Sequence, residues 1–99
     1  MKIEINRDGE SLELRISGRL DTTTAPELSK AVDGETEGIK VLQFNLKELE
    51  YISSAGLRVL LAAYKKMKAA EGVMKVVNAC EDVMEVFKIT GFDKTLGIT

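Results

Sequence analysis

Two short segments hold the residue types that could do chemistry. The first is Tyr51-Ile52-Ser53-Ser54-Ala55-Gly56-Leu57, where two adjacent hydroxyls precede a long apolar-periodic stretch. Serine at such a junction is a good helix N-cap, worth ~1 kcal/mol over alanine, and capping is its ordinary role. The run of small residues also leaves the hydroxyls open to another protein's backbone or to a kinase active site. A phosphate placed there carries about −1.5 to −2 charges, and a helix N-terminus, with its free N–H groups and positive dipole end, accommodates an anion. Phosphorylation is therefore expected to leave the fold standing while changing the surface around the loop. The second segment is Gly18-Arg19-Leu20-Asp21-Thr22-Thr23-Thr24, an acid and three hydroxyls between a strand pattern and a helix pattern. Taken residue by residue it reads as a solvated capping loop. If both segments leave the carboxyl ends of parallel strands, they share one edge of the sheet, where sites in α/β folds gather.

Other chemistry is restricted by what the chain lacks. It contains no histidine, which removes the commonest general base and metal ligand and excludes a Ser-His-Asp triad or a Cys/His zinc site. Glu48, Glu50 and Asp21 are acids that sequence alone does not bring together, and surface acids are the rule. The single cysteine, Cys80, cannot form an internal disulfide. It fits a reducing compartment; it precedes a helix, where a thiol's pKa can fall, and reads as a buried, inert cysteine. With 99 residues and a net charge of −2, the chain is sized for one domain over residues 1–99 and shows no basic stripe for nucleic acid. No apolar run reaches the ~20 residues that span a bilayer, and the N-terminus has no signal-peptide pattern. The expectation is a cytoplasmic protein with no cofactor, no metal, no nucleic-acid partner and no membrane partner, monomeric and not an enzyme. A small enzyme or nucleotide binder is the competing class, and the absence of a phosphate-binding glycine fingerprint weighs against it.

The elements that must position the two segments read in order. Ile3 and Ile5 alternate with polar residues, Asp8-Gly9 marks a turn, and Leu12, Leu14 and Ile16 alternate again, predicting an antiparallel hairpin. Residues 18 to 23 read as a loop. Thr24, Pro26 and Glu27 predict a helix start with a capping box, followed by Leu28, Ala31 and Val32 as its apolar stripe, with Gly34 and Gly38 at the exit. Ile39 to Leu46 predicts a strand and Lys47 to Ile52 a turn. The longest helix runs to about Ala70 with Leu57, Leu60, Leu61, Tyr64 and Met67 at helical spacing. Val73 to Val77 predicts a strand and Glu81 to Thr90 a helix stopped by Gly91, with a tail strand near Thr95 to Ile98. Strand-helix alternation implies parallel pairing with right-handed crossovers. Polar residues alternating within strands 11–17 and 41–46 imply that one sheet face stays wet. The fold class is α/β: a compact mixed sheet of four to five strands with helices mainly on one face.

The ordered set Leu20-Asp21-Thr22-Thr23-Thr24-Ala25-Pro26-Glu27-Leu28, Ile39-Lys40-Val41-Leu42, Tyr51 through Leu60 and Val83 through Asp93 closely resembles STAS domains over essentially the whole chain. The resemblance implies a stand-alone anti-sigma factor antagonist. Such a protein binds a serine-kinase anti-sigma factor of GHKL-type ATPase fold when unphosphorylated. The kinase inactivates it by phosphorylating a serine at the start of the long helix, and a PP2C-type phosphatase restores it. Ser54 matches that serine, with Ser53 as the alternative. Asp21, Thr22, Thr23, Ser53, Ser54, Ala55 and Gly56 match the partner-binding surface. The chain departs from the better-known pattern by carrying Ser53 where an acid would stand and Ala55 where a second hydroxyl would. A second reading within the family is a scaffold or a subunit of a signalling or lipid-transport complex, with constitutive binding that ignores phosphorylation.

Overall fold

The computed structural model describes residues 1–98. The alternation in the first twenty residues produces a hairpin: β1 (Lys2–Asp8) pairs antiparallel with β2 (Ser11–Leu20) in the register Ile3↔Ile16 and Ile5↔Leu14. After α1 (Ala25–Glu35) the chain returns as β3 (Val41–Ile52), and after α2 (Ser54–Ala69) as β4 (Val73–Val77). Both β2–β3 and β3–β4 are parallel, and the sheet order is β1-β2-β3-β4. Helix α3 (Glu81–Thr90) and a single turn, α4 (Phe92–Thr95), complete the chain.

One face of the sheet is dry. Leu12, Leu14, Ile16 and Leu20 of β2 and Leu42, Phe44 and Leu46 of β3 are buried, together with Leu28 and Val32 of α1, Leu57, Leu60, Ala63 and Met67 of α2, and Val83 and Phe87 of α3. The alternate positions stay partly wet and polar: Glu13 accepts from Gln43 at 2.9 Å, and Asn78 donates to Asn45 at 3.2 Å. This is the mixed sheet with helices mainly on one face that the alternating strands imply. Met67 and Met74 are buried and Met84 packs against the core, so they fill gaps among branched side chains.

Four features differ from the sequence-based expectation. Strand β3 does not end at Leu46 but runs to Ile52, so the expected turn over Lys47 to Ile52 is strand. Its register against β2 steps from Arg15↔Asn45 to Ser17↔Glu48 and from Gly18↔Leu49 to Arg19↔Tyr51, inserting one extra β3 residue each time. These bulges keep Leu46, Leu49 and Ile52 all facing the core at a spacing of three, which hides the period of two. Likewise β2 runs on through Gly18 to Leu20, shortening the loop that follows. Helix α1 passes through Gly34 to Glu35, and its C-cap Thr36 donates its hydroxyl to the Val32 carbonyl at 2.7 Å. The tail is not a fifth strand. Gly91, at φ +77, closes α3 in the left-handed conformation that glycine adopts without strain, and α4 follows at once. Leu96 and Ile98 are buried, and Ile98 N–H donates to the Asp93 carbonyl at 2.7 Å.

Candidate functional site

The site is built where β2 and β3 end side by side. Leu20 pairs with Ile52 as the last residues of the two strands, and Ser53 N–H donates to the Leu20 carbonyl at 2.9 Å. The βα turn that begins at Asp21 and the one that begins at Ser53 are therefore stitched together by backbone. This is the shared carboxyl edge expected for parallel strands.

Local chemistry sets the start of α2. Ser53 is extended, with φ −102 and ψ 175, and its side chain accepts from Gly56 N–H at 3.5 Å while its carbonyl accepts from Leu57 N–H at 3.0 Å. Ser53 is thus the N-cap, half-buried and occupied with the helix. Ser54 is the first helical residue and is exposed. Its N–H and that of Ala55 have no carbonyl four residues back within the helix to bond, and no acid stands in the first turn. The capping reading and the open-hydroxyl reading therefore fall on different residues, Ser53 and Ser54. Ala55 is half-buried and Gly56 fully buried. A Cβ on Gly56 would lie 2.6 Å from Leu20 Cγ and 2.9 Å from Ile52 Cγ1, so glycine lets α2 settle directly onto the strand ends. Gly56 lies beneath the surface and sets its height.

The Asp21 turn closes on itself. Asp21 Oδ1 accepts from Thr23 N–H at 3.0 Å and Thr24 N–H at 3.1 Å. The Thr24 hydroxyl donates to the Arg19 carbonyl at 2.8 Å and accepts from Asp21 N–H at 2.9 Å. Asp21 thus closes the turn that leads into α1, while Thr24, at the N-cap position with φ −94 and ψ −19, makes no side-chain capping bond, and the expected Thr24–Glu27 box does not form. The Thr24 N–H bond holds the Asp21 carboxyl below its ordinary value against partial desolvation, helped by the Thr23 N–H, the Thr24 hydroxyl and the positive charge of Arg19. Thr22 and Thr23 are exposed beside it.

Two residues at this edge were not singled out by sequence. Arg19 lies 4.0 Å from Asp21 and stacks its guanidinium 4.3 Å over the ring of Tyr51. The parallel register puts them opposite each other, Arg19↔Tyr51, and the second bulge of β3 is what sets that pairing. An Arg and a Tyr near matching strand ends are the signal, but only once the bulges are known. Glu48 and Glu50 are exposed strand residues. Among the described residues no three acidic, cysteine or histidine side chains gather as a metal site. Cys80, half-buried before α3, donates to the Leu49 carbonyl at 3.5 Å. No helix of the described residues is long and apolar enough to cross a membrane.

Comparison with known proteins agrees with this geometry. The STAS domain model matches residues 2–99. The anti-sigma-B factor antagonist of Listeria monocytogenes is 30% identical over 101 residues, covering 99% of this chain and 88% of that protein. The anti-sigma-B factor antagonist of Bacillus subtilis is 26% identical, covering 100% of this chain and 91% of that protein. The crystal structure of an anti-sigma factor antagonist from Mycobacterium paratuberculosis superposes with a TM-score of 0.84 at 27% identity, covering 95% of this chain and 80% of that one. A mixed four-stranded sheet, two βα turns meeting at one edge and a family match that runs from end to end lead to one conclusion: this chain belongs to the STAS domain family.

Proposed function

We propose that this protein is an anti-sigma factor antagonist that works as a phosphorylation switch. Unphosphorylated, it binds a serine-kinase anti-sigma factor of GHKL-type ATPase fold through Asp21, Thr22, Thr23, Ser53, Ser54 and Ala55. Phosphorylation of Ser54 by that partner ends the interaction, and a PP2C-type phosphatase restores it. The protein acts by occupying its partner, with no catalysis of its own.

The observation that carries the reading is the division of labour between the two serines. Ser53 is committed to the cap, whereas Ser54 is exposed on the first turn of α2 beside the Asp21 turn. A phosphate on Ser54 sits where helix N–H groups and the dipole favour an anion, so the fold tolerates it. The same phosphate adds bulk and about −1.5 to −2 charges to the surface a partner must cover. Like-charge or unpaired-charge burial at an interface costs several kcal/mol, enough to release a partner without unfolding the domain.

Phosphopeptide mapping of the protein isolated from its own cells tests the site. Trypsin releases Glu48 to Arg58 as one peptide holding Tyr51, Ser53 and Ser54. Phosphate on Ser54 that varies with growth condition is the expected result. Phosphate on Ser53 would move the switch onto the capping residue and correct the site. No phosphate under any condition, with a stable partner still recovered, would replace the switch by a constitutive scaffold.

A further inference from the structure

We infer that Arg58 is the positioning residue of the phosphorylated state, holding a phosphate on Ser54 as a dianion along the first turn of α2. This deepens the reading above and rests on it. Ser54 and Arg58 are four residues apart within one helix, and both are exposed. Residues at i and i+4 are neighbours on a helix surface. Side chains also lean toward the helix N-terminus, so a long residue covers the turn before its own Cα. From position 58 the arginine side chain is therefore long enough to reach the turn that carries Ser54.

Arg58 is also the available cation. Among the described residues it makes no ion pair, while Lys66 is 3.5 Å from Asp33 and Arg19 is held against Tyr51 and Asp21. The next basic residue along α2 is Lys65, two turns further on. With no acid in the first turn, nothing on the helix competes for the guanidinium. Its planar fork suits a phosphate and pairs with it through two N–H groups. Before phosphorylation Arg58 has no such anion, so the modification gives one exposed side chain a new fixed position.

The test needs no kinase. The full chain is made with phosphoserine genetically placed at position 54, and the second phosphate ionisation is followed by phosphorus NMR against pH at low salt. Pairing with a cation lowers that pKa, so Arg58→Gln raises it by about 0.3 unit, the size expected of an i,i+4 charge pair. Arg58→Lys keeps most of the effect, Arg19→Gln moves it by less than half as much, and the difference closes near 1 M salt. Equal values within about 0.1 unit for the parent and Arg58→Gln, or an equal shift in Arg19→Gln, would overturn the inference. Failure of the switch itself would show separately, as a tryptic peptide from cells that never carries phosphate on Ser54.

Discussion

The Asp21 turn and the Ser53 turn leave neighbouring strands, stand at the same sheet edge and are both rich in hydroxyls, yet they spend them differently. In the first, Asp21 and Thr24 bond inward while Thr22 and Thr23 stay exposed. The Asp21 carboxylate takes two backbone N–H groups, and the Thr24 hydroxyl bridges Arg19 and Asp21. In the second, Ser53 does the capping alone through a long 3.5 Å bond, and Ser54 is left exposed. The first turn is closed by its own hydrogen bonds, and the second presents at the head of α2 a hydroxyl that does no capping. A hydroxyl can be modified without loss of fold only where the fold does not use it, which is why the proposed switch is assigned to Ser54 and not to the capping Ser53.

The largest way to break this comparison is to lift α2 off the strand ends. Gly56→Val puts a side chain into Leu20 and Ile52, and overpacking of this kind costs about 1–3 kcal/mol, so the thermal midpoint falls and partner binding falls with it. Next comes Asp21→Ala, which opens the turn leading into α1 and leaves two N–H groups without their acceptor. The midpoint falls more than in Ser53→Ala, whose longer cap bond sits at the weak end of capping effects, about 0.5 kcal/mol. Asp21 also carries a pH signature. Its folded-state pKa is depressed, so its contribution is present above the ordinary carboxylate range and lost as pH falls through the lower, folded value. Acid titrations of unfolding should show the parent losing that advantage over Asp21→Asn on the low-pH side only. Smallest of all, Ser54→Ala shifts stability by no more than about 0.5 kcal/mol, as exposed substitutions do, while removing the phosphorylated form altogether.

Much of this architecture was legible in the chain. The alternation of Leu12, Leu14 and Ile16 gave the wet-faced hairpin, and the helical spacing from Leu57 to Met67 gave α2, because both patterns are long and regular. The bulges in β3 were not legible. Leu46, Leu49 and Ile52 are three apart, and a spacing of three looks like a turn unless a neighbouring strand is known to absorb the extra residue. The tail is illegible for a related reason: Leu96 and Ile98 alternate like a strand, but they follow a single helical turn and are buried without joining the sheet. Within the site, the order of the elements foretold that the two turns would meet. It did not foretell that Asp21 would close the turn while Thr24 made no capping bond to α1, since an acid and three threonines offer several equivalent local bonds and tertiary packing chooses among them. Arg19 and Tyr51 stayed hidden because their pairing depends on the second bulge.

The central claim is that Ser54 can be changed without cost to the fold and with large cost to binding. The most direct measurement compares the unmodified chain with the chain carrying phosphoserine at position 54, titrating each into the anti-sigma partner recovered with the unmodified protein. The account predicts thermal midpoints within a few degrees of each other and an affinity at least about tenfold weaker for the phosphorylated form, a difference of 1.4 kcal/mol or more. Equal affinities at equal stability would contradict it, and would mean that the exposed hydroxyl at the head of α2 is not where the partner reads this protein.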